Sequence, residues 1–211
     1  MSVSLYIMTY HMPKVISIEG NIGAGKTTIL RRIEELNLPG VFVLKEPVDE
    51  WAEVKDSSGK NILEHYYSDP KKYAFAFQAV AFNTRMTNLK KAFASGNCII
   101  VCERSLQSDA NIFAKMLFED GTMDEISYRA YQSLYRDGVQ PYSLDMVIYL
   151  DVPPETCKER IQTRARSGEE SIGLDYLKMC DKYHRDWLES TGLEYPVIKY
   201  TTFNDVLKVL M

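Results

Sequence analysis

The sequence predicts an α/β domain in which a doubly wound, parallel, five-stranded sheet carries helices on both faces. Five short runs, Val15–Ile18, Val41–Leu44, Cys98–Cys102, Met146–Leu150 and Val197–Tyr200, are rich in Val and Ile and lack polar alternation. Parallel strands covered on both faces read this way. Helical patterns fill the intervals, and regular alternation of strand and helix marks a doubly wound sheet. A chain of 211 residues suits one such domain and is short for two.

The elements follow in order. Residues 1–13 have aromatics but no arginine and no cleavage site, so they read as an N-terminal extension rather than a signal or transit peptide. The domain proper is expected over 14–211. A glycine-rich turn joins the first strand to a helix at Thr27–Leu36, and Lys55–Lys60 is a polar loop after the second strand. Tyr73–Ser95 is the longest helical pattern, stopped by Gly96 and Asn97. Helices are predicted over Gln107–Phe118 and Asp124–Asp137 before the fourth strand, then over Pro154–Arg164 and Leu174–Thr191. Between the last two lies a hydrophilic loop, Ser167–Gly173. No apolar run approaches the ~20 residues that cross a bilayer, so no membrane partner is expected and cytoplasm is the expected location. Cys98, Cys102, Cys157 and Cys180 lack metal-like spacing and read as reduced core thiols.

The net charge of −4 argues against a nucleic acid partner, whose backbone demands a basic stripe. An anionic ligand would need local cations instead. Ligands of such sheets sit beyond the carboxyl ends of the strands. Those positions are Gly20, Glu46, Glu103-Arg104-Ser105 and Asp151.

Gly20-Asn21-Ile22-Gly23-Ala24-Gly25-Lys26-Thr27, followed by Thr28, matches G-x-x-x-x-G-K-[ST] between a strand and a helix. Its backbone N–H groups can wrap a polyphosphate at the positive end of the helix dipole. Lys26 supplies a charge on the outer phosphates, and the Thr27 hydroxyl is placed to ligate Mg²⁺. ATP binding is therefore expected. Glu103 can hold Mg²⁺ through water and Arg104 can clamp a phosphate or a hydroxyl; the alternative is a plain ion pair at the sheet edge. Glu46, at another strand end, is either a base or orienting acceptor for an acceptor hydroxyl, or a solvated glutamate. Gln78, Ala81 and Arg85 share one helix face beside Phe77, which suits the edge and face of a nucleobase or a simple polar stripe. Arg160 and Arg164, one helical turn apart, with Arg166 beyond them, look like a lid that closes over ATP, or like ordinary exposed arginines.

Taken together these residues resemble the deoxynucleoside kinase family, in particular its deoxycytidine and deoxyguanosine kinases, from Lys14 to about Trp187. The glycine loop, Glu46-Pro47-Val48 with Trp51, Tyr67 ahead of the long helix, Phe77-Gln78, Glu103-Arg104-Ser105, and Arg160, Arg164 and Arg166 with Glu169 occur in the family's order. The resemblance implies a P-loop kinase fold with a lid loop. It implies a catalytic group of Glu46, Arg104 and Lys26, with Glu46 acting on the 5′-hydroxyl of a deoxynucleoside. Gln78 would pair with the base edge, Phe113 would stack on the base, and Tyr67 and Glu169 would hold the sugar 3′-hydroxyl. Trp51 would wall the base pocket. Ala81, Arg85 and Asp109 match relatives that take cytosine or purines rather than thymine. A homodimer built from the long helices is also implied. Gly168 and Gly173 depart from the family pattern and bear on the lid, while the short segment after Asp186 bears on donor preference. The rival readings are a thymidylate-type nucleoside monophosphate kinase and a non-catalytic nucleotide-binding subunit.

Overall fold

The computed structural model describes residues 12–165, 169 and 172–211. Five strands, β1 (Lys14–Gly20), β2 (Val41–Leu44), β3 (Ile99–Glu103), β4 (Met146–Leu150) and β5 (Val197–Lys199), form one sheet in the order β2-β3-β1-β4-β5. Every pairing is parallel. The central strand β1 aligns Ile18 with Glu103 on one side and Gly20 with Leu150 on the other. That register brings the glycine loop, the Glu103-Arg104 step and the end of β4 to one edge. The chain order reverses direction around β1, and such a switch point leaves a crevice for ligand.

Side chains alternate across the strands, and the two faces bury separate cores. Val15, Ile100, Cys102, Val147 and Tyr149 face one, with Phe82, Ile112, Tyr131 and Trp187. Ile16, Ile18, Val101, Ile148 and Leu150 face the other, with Ile29, Leu30, Ile33 and Ile161. β2 and β5 are only half-buried, unlike the fully covered strands expected, because they are the sheet's edges. Cys98 is exposed, contrary to the expected core thiol, since β3 starts one residue later; the other three cysteines are buried.

The helices are α1 (Lys26–Glu35), α2 (Val48–Ala52), α3 (Ile62–Ser68), α4 (Pro70–Phe93), α5 (Leu106–Ser108), α6 (Lys115–Glu119), α7 (Glu125–Val139), α8 (Pro154–Arg164), α9 (Leu174–Leu188) and α10 (Phe203–Leu210). α4 begins three residues before the pattern suggested. Asp69 accepts from the Lys72 N–H and Pro70 occupies the first turn, where a missing N–H costs nothing. α2, α3 and α10 were not anticipated, although Asn61 with Glu64 and Thr202 with Asp205 form reciprocal caps that announce the last two. The single helix predicted over Gln107–Phe118 is broken into α5 and α6 by a π-helical stretch, Asp109–Ala114. Wide turns of this kind concentrate at functional sites, and this one turns Asp109 and Phe113 toward the same cleft. Among the described residues no helix is long and apolar enough to cross a membrane.

Candidate active site

The glycine loop closes tightly under α1. Gly23 has φ 81°, and a Cβ there would lie 2.5 Å from the Cys157 carbonyl oxygen; at Gly20 it would lie 2.7 Å from that of Leu150. Only glycine fits either position. Lys26 is buried, and its Nζ donates to the carbonyls of Gly20 (3.1 Å) and Asn21 (2.9 Å). Burial, followed by the charge of Arg104, brings its pKa down to about 8. The Asn21 side chain is committed to the scaffold, donating to the Leu177 carbonyl on α9 at 2.8 Å and accepting from the Ile22 N–H. Thr27 Oγ1 lies 3.0 Å from both carboxylate oxygens of Glu103.

Opposite the loop, Glu46 stands between two buried guanidiniums. Its Oε1 accepts from Arg85 Nη2 at 2.6 Å and from Arg104 Nε at 3.1 Å. Burial works to raise the Glu46 pKa, but Arg104 and Arg85 outweigh it and hold the carboxyl well below its ordinary range. Arg85 also donates to the Glu103 carbonyl (3.0 Å), and its Nε lies 3.0 Å from Asp109 Oδ2 without hydrogen-bond alignment. Burial pushes the Asp109 carboxyl up to about 6 against the pull of Arg85. Arg104 itself sits at φ 64°, a left-handed conformation that costs a non-glycine residue about 1–2 kcal/mol. Its N–H donates to the Ile18 carbonyl, and the next residue, Ser105, caps α5 while donating to buried Glu19 at 2.8 Å.

A cleft of about 250 Å³ joins these groups to an aromatic end. Trp51 meets Phe77 edge-on at 5.3 Å and donates from Nε1 to Thr84, while Phe77 stacks on Tyr66 at 5.0 Å. Gln78 is buried beside them, and its Oε1 has no hydrogen-bond partner among the described residues. Ala81, Phe113 and Tyr67 complete this end. Burial raises the Tyr67 hydroxyl pKa well above its ordinary value, so it stays a neutral donor. At the mouth, Arg164 Nη2 lies 2.5 Å from Glu169 Oε2.

Of the residues singled out from the sequence, Ile22, Gly23, Lys26, Thr27, Glu46, Trp51, Tyr67, Phe77, Gln78, Ala81, Arg85, Glu103, Arg104, Asp109, Phe113, Arg164 and Glu169 line this one cleft. Gly20, Asn21, Ala24, Gly25 and Thr28 form the loop and first helical turn behind it. Arg160 does not line the cleft; its Nη1 donates to the Ala24 carbonyl at 2.9 Å, on the back of the loop. Arg166 and Gly168, and with them most of the predicted lid, lie outside the described residues, as do residues 1–11. Tyr66 and Tyr176 wall the cleft, and His184 touches Arg104, without having been anticipated. Their aromatic character reads as core in a sequence, and nothing in their spacing separates them from it. Glu19 did carry a signal, a carboxylate directly before the glycine loop in a buried strand.

Comparison with known proteins gives a consistent picture. The deoxynucleoside kinase family model matches residues 16–208. A probable deoxycytidine kinase of Fowlpox virus (strain NVSL) is 33% identical over 199 residues, spanning 92% of this chain and 81% of that protein. The deoxycytidine kinase of Homo sapiens is 34% identical over 198 residues, 83% of this chain and 75% of its own. The mitochondrial deoxyguanosine kinase of Xenopus laevis is 32% identical over 200 residues, covering 86% and 75% respectively.

Proposed function

The chain belongs to the deoxynucleoside kinase family, and from that premise we propose that it transfers the terminal phosphoryl group of ATP to the 5′-hydroxyl of deoxynucleosides in nucleotide salvage. Deoxycytidine and purine deoxynucleosides are favoured over thymidine. The observation that carries this reading is Glu46 held by Arg85 and Arg104 in a cleft that runs from Lys26 and Thr27 to the unpartnered Gln78 amide oxygen. A phosphate-binding loop, a carboxylate for a hydroxyl and an amide for a base edge then share one cleft.

In-line phosphoryl transfer asks for positioning and charge neutralisation more than covalent chemistry. Lys26 meets the outer phosphates after exchanging its loop carbonyls for them. Thr27 and Glu103 present adjacent hard oxygens at the start of α1, the donor type that Mg²⁺ takes together with phosphate oxygens and water. Bound there with ATP, the ion would neutralise phosphate charge. Glu46 accepts the 5′-hydroxyl hydrogen bond and aligns that oxygen. Because the two arginines keep its pKa low, it orients more than it abstracts. Arg104, beside it, stabilises charge on the transferred group, and Arg164 and Arg166 add to this when the lid closes. Tyr67 and Glu169 hold the 3′-hydroxyl, and Trp51, Phe77 and Phe113 enclose the base.

Arg85 and Asp109, adjacent beside Ala81, support the base preference. They crowd a thymine methyl and offer polar groups to an exocyclic amine or carbonyl. The engagement of Arg85 with Glu46 also speaks against a monophosphate acceptor, whose phosphate would have to displace a carboxylate. The exposed Ile126 and Leu134 of α7 are suited to the homodimer expected on the long helices. The test is ADP release from Mg·ATP with deoxycytidine, deoxyadenosine, deoxyguanosine, thymidine and their monophosphates as separate acceptors. Turnover on the nucleosides, weakest with thymidine, supports the proposal; turnover on monophosphates alone refutes it.

A further inference from the structure

Arg104 is gripped at its far end as well as at Glu46. Its guanidinium carbon lies 4.6 Å from the Phe113 ring centroid, and its Nη1 lies 3.5 Å from Nε2 of His184, the long end of the hydrogen-bond range. His184 is wholly buried in the middle of α9. A buried imidazole needs partners for both nitrogens.

The two nitrogens are distinguishable. Nδ1 lies 2.7 Å from the Cys180 carbonyl oxygen, one turn back along the helix. A carbonyl only accepts, so Nδ1 carries the proton. Burial, then the charge of Arg104 and that of Lys26, oppose a second proton and pull the pKa down to about 3, against the Cys180 and Gly20 carbonyls that lie beside the ring and favour the protonated form. Nε2 therefore presents a lone pair, and the guanidinium of Arg104, which has only N–H donors to offer, faces it. The Tyr149 ring, 6.2 Å away and nearly parallel, and Phe113, edge-on at 6.4 Å, keep the imidazole from turning. The same helix also holds the phosphate loop, because Asn21 donates to the Leu177 carbonyl.

We propose that His184 is a positioning residue for phosphoryl transfer: its Nε2 lone pair fixes the Arg104 guanidinium, and α9 thereby keeps that arginine in register with the phosphate loop. A leucine or phenylalanine would fill the same volume but leave a buried guanidinium N–H unpaired and the side chain free to swing. This inference rests on the kinase reading above and adds a residue to it.

The experiment compares His184→Phe, His184→Gln, Arg104→Met and the Phe–Met double variant in steady-state turnover of deoxycytidine with Mg·ATP, with melting temperatures recorded in parallel. His184→Phe is expected to lower kcat about tenfold or more with KM for ATP within about twofold, since small misplacements of a catalytic group cost rate. Glutamine, whose amide oxygen reaches near the Nε2 position, recovers most of the rate. In the Arg104→Met background the phenylalanine costs less than about twofold further, the non-additivity of two residues acting as one unit. Additive losses, or equal losses for Phe and Gln, would overturn the inference. A measurement on the wild-type protein stands beside these: imidazole ¹⁵N shifts should show Nδ1 protonated and Nε2 bare at neutral pH, and a protonated Nε2 would overturn it equally. Failure of the wild type to phosphorylate any nucleoside would instead sink the kinase reading, and the role of His184 with it.

Discussion

Replacing Glu46 by glutamine removes one charge and almost no volume, so it separates what the carboxylate does from the space it fills. Both guanidinium contacts, at 2.6 and 3.1 Å, end on the same oxygen. The amide oxygen of glutamine can keep one of them, but its NH₂ would face the other donor. Breaking a buried ion pair typically costs 3–5 kcal/mol. Here the carboxylate is 19% exposed, Arg85 keeps Asp109 and Arg104 keeps Phe113, so a loss of roughly 1–3 kcal/mol is expected. For a chain of this size that lowers Tm by about 3–10 °C. The rate effect should be larger. Misaligning a reacting group costs about 10²-fold, and a 10²-fold fall in kcat is about 2.7 kcal/mol of lost transition-state stabilisation. The assay is ADP release at a temperature where circular dichroism shows both proteins folded. A kcat within twofold of wild type removes Glu46 from the mechanism. A raised KM at constant kcat would make it a binding group only. The pH dependence adds a check. Because the folded pKa is depressed, the stability from this pairing is present above the unfolded value of about 4.3 and is lost as pH falls through the lower folded value. The part of the stability gap between wild type and Glu46→Gln that this carboxylate supplies should therefore close as pH falls below about 4.3.

Further outcomes are expected at three neighbouring positions. Gln78→Leu should raise KM for deoxynucleosides about tenfold or more while sparing KM for ATP. It should leave folding stability unchanged or slightly improved, because the buried Oε1 has no partner to lose; a clear drop in Tm would contradict this. Asp109→Asn tests the raised carboxyl. A folded pKa of about 6 lies above the unfolded value, so the contribution is complete below the latter and lost as pH rises through 6. Chemical denaturation should show wild type gaining on the Asn variant as pH falls from 7.5 to 5, by about 1.4 kcal/mol, whereas a flat difference would place Asp109 in the ordinary range. Gly23→Ala drives a Cβ toward the Cys157 carbonyl at a φ of 81° and should cost at least about 1–2 kcal/mol together with ATP affinity, read by denaturation and ATP titration; wild-type affinity would refute the close fit.

The strands were legible because a parallel sheet buries both faces, which leaves runs such as Met146–Leu150 with no polar residue at all. Edges are harder to read: Val41–Leu44 has the same composition as a central strand, and only the topology exposes it. Short helices such as Ile62–Ser68 hold too few turns to show a period, although the Asn61–Glu64 cap was there to be read. The π-helical stretch Asp109–Ala114 leaves no trace in a pattern of 3.6 residues, because one widened turn shifts the apolar face without interrupting it. Within the site, charges next to strand ends stood out against apolar surroundings. Tyr66, Tyr176 and His184 did not, since aromatic side chains on a helix read as core.

The charge balance of the cleft explains how an acidic chain prepares for an anionic substrate. Lys26, Arg85 and Arg104 are buried, where unpaired cations would be prohibitively costly. Each is offset by groups of its own: loop carbonyls for Lys26, Glu46 and Asp109 for Arg85, Glu46 and the His184 lone pair for Arg104. The arginines are thus fixed before substrate arrives, and phosphate finds donors whose orientation has already been set. That arrangement has a consequence for Glu46. A carboxylate that must neutralise two guanidiniums is a weak base, so in the transfer proposed above Glu46 would aim the hydroxyl rather than strip it.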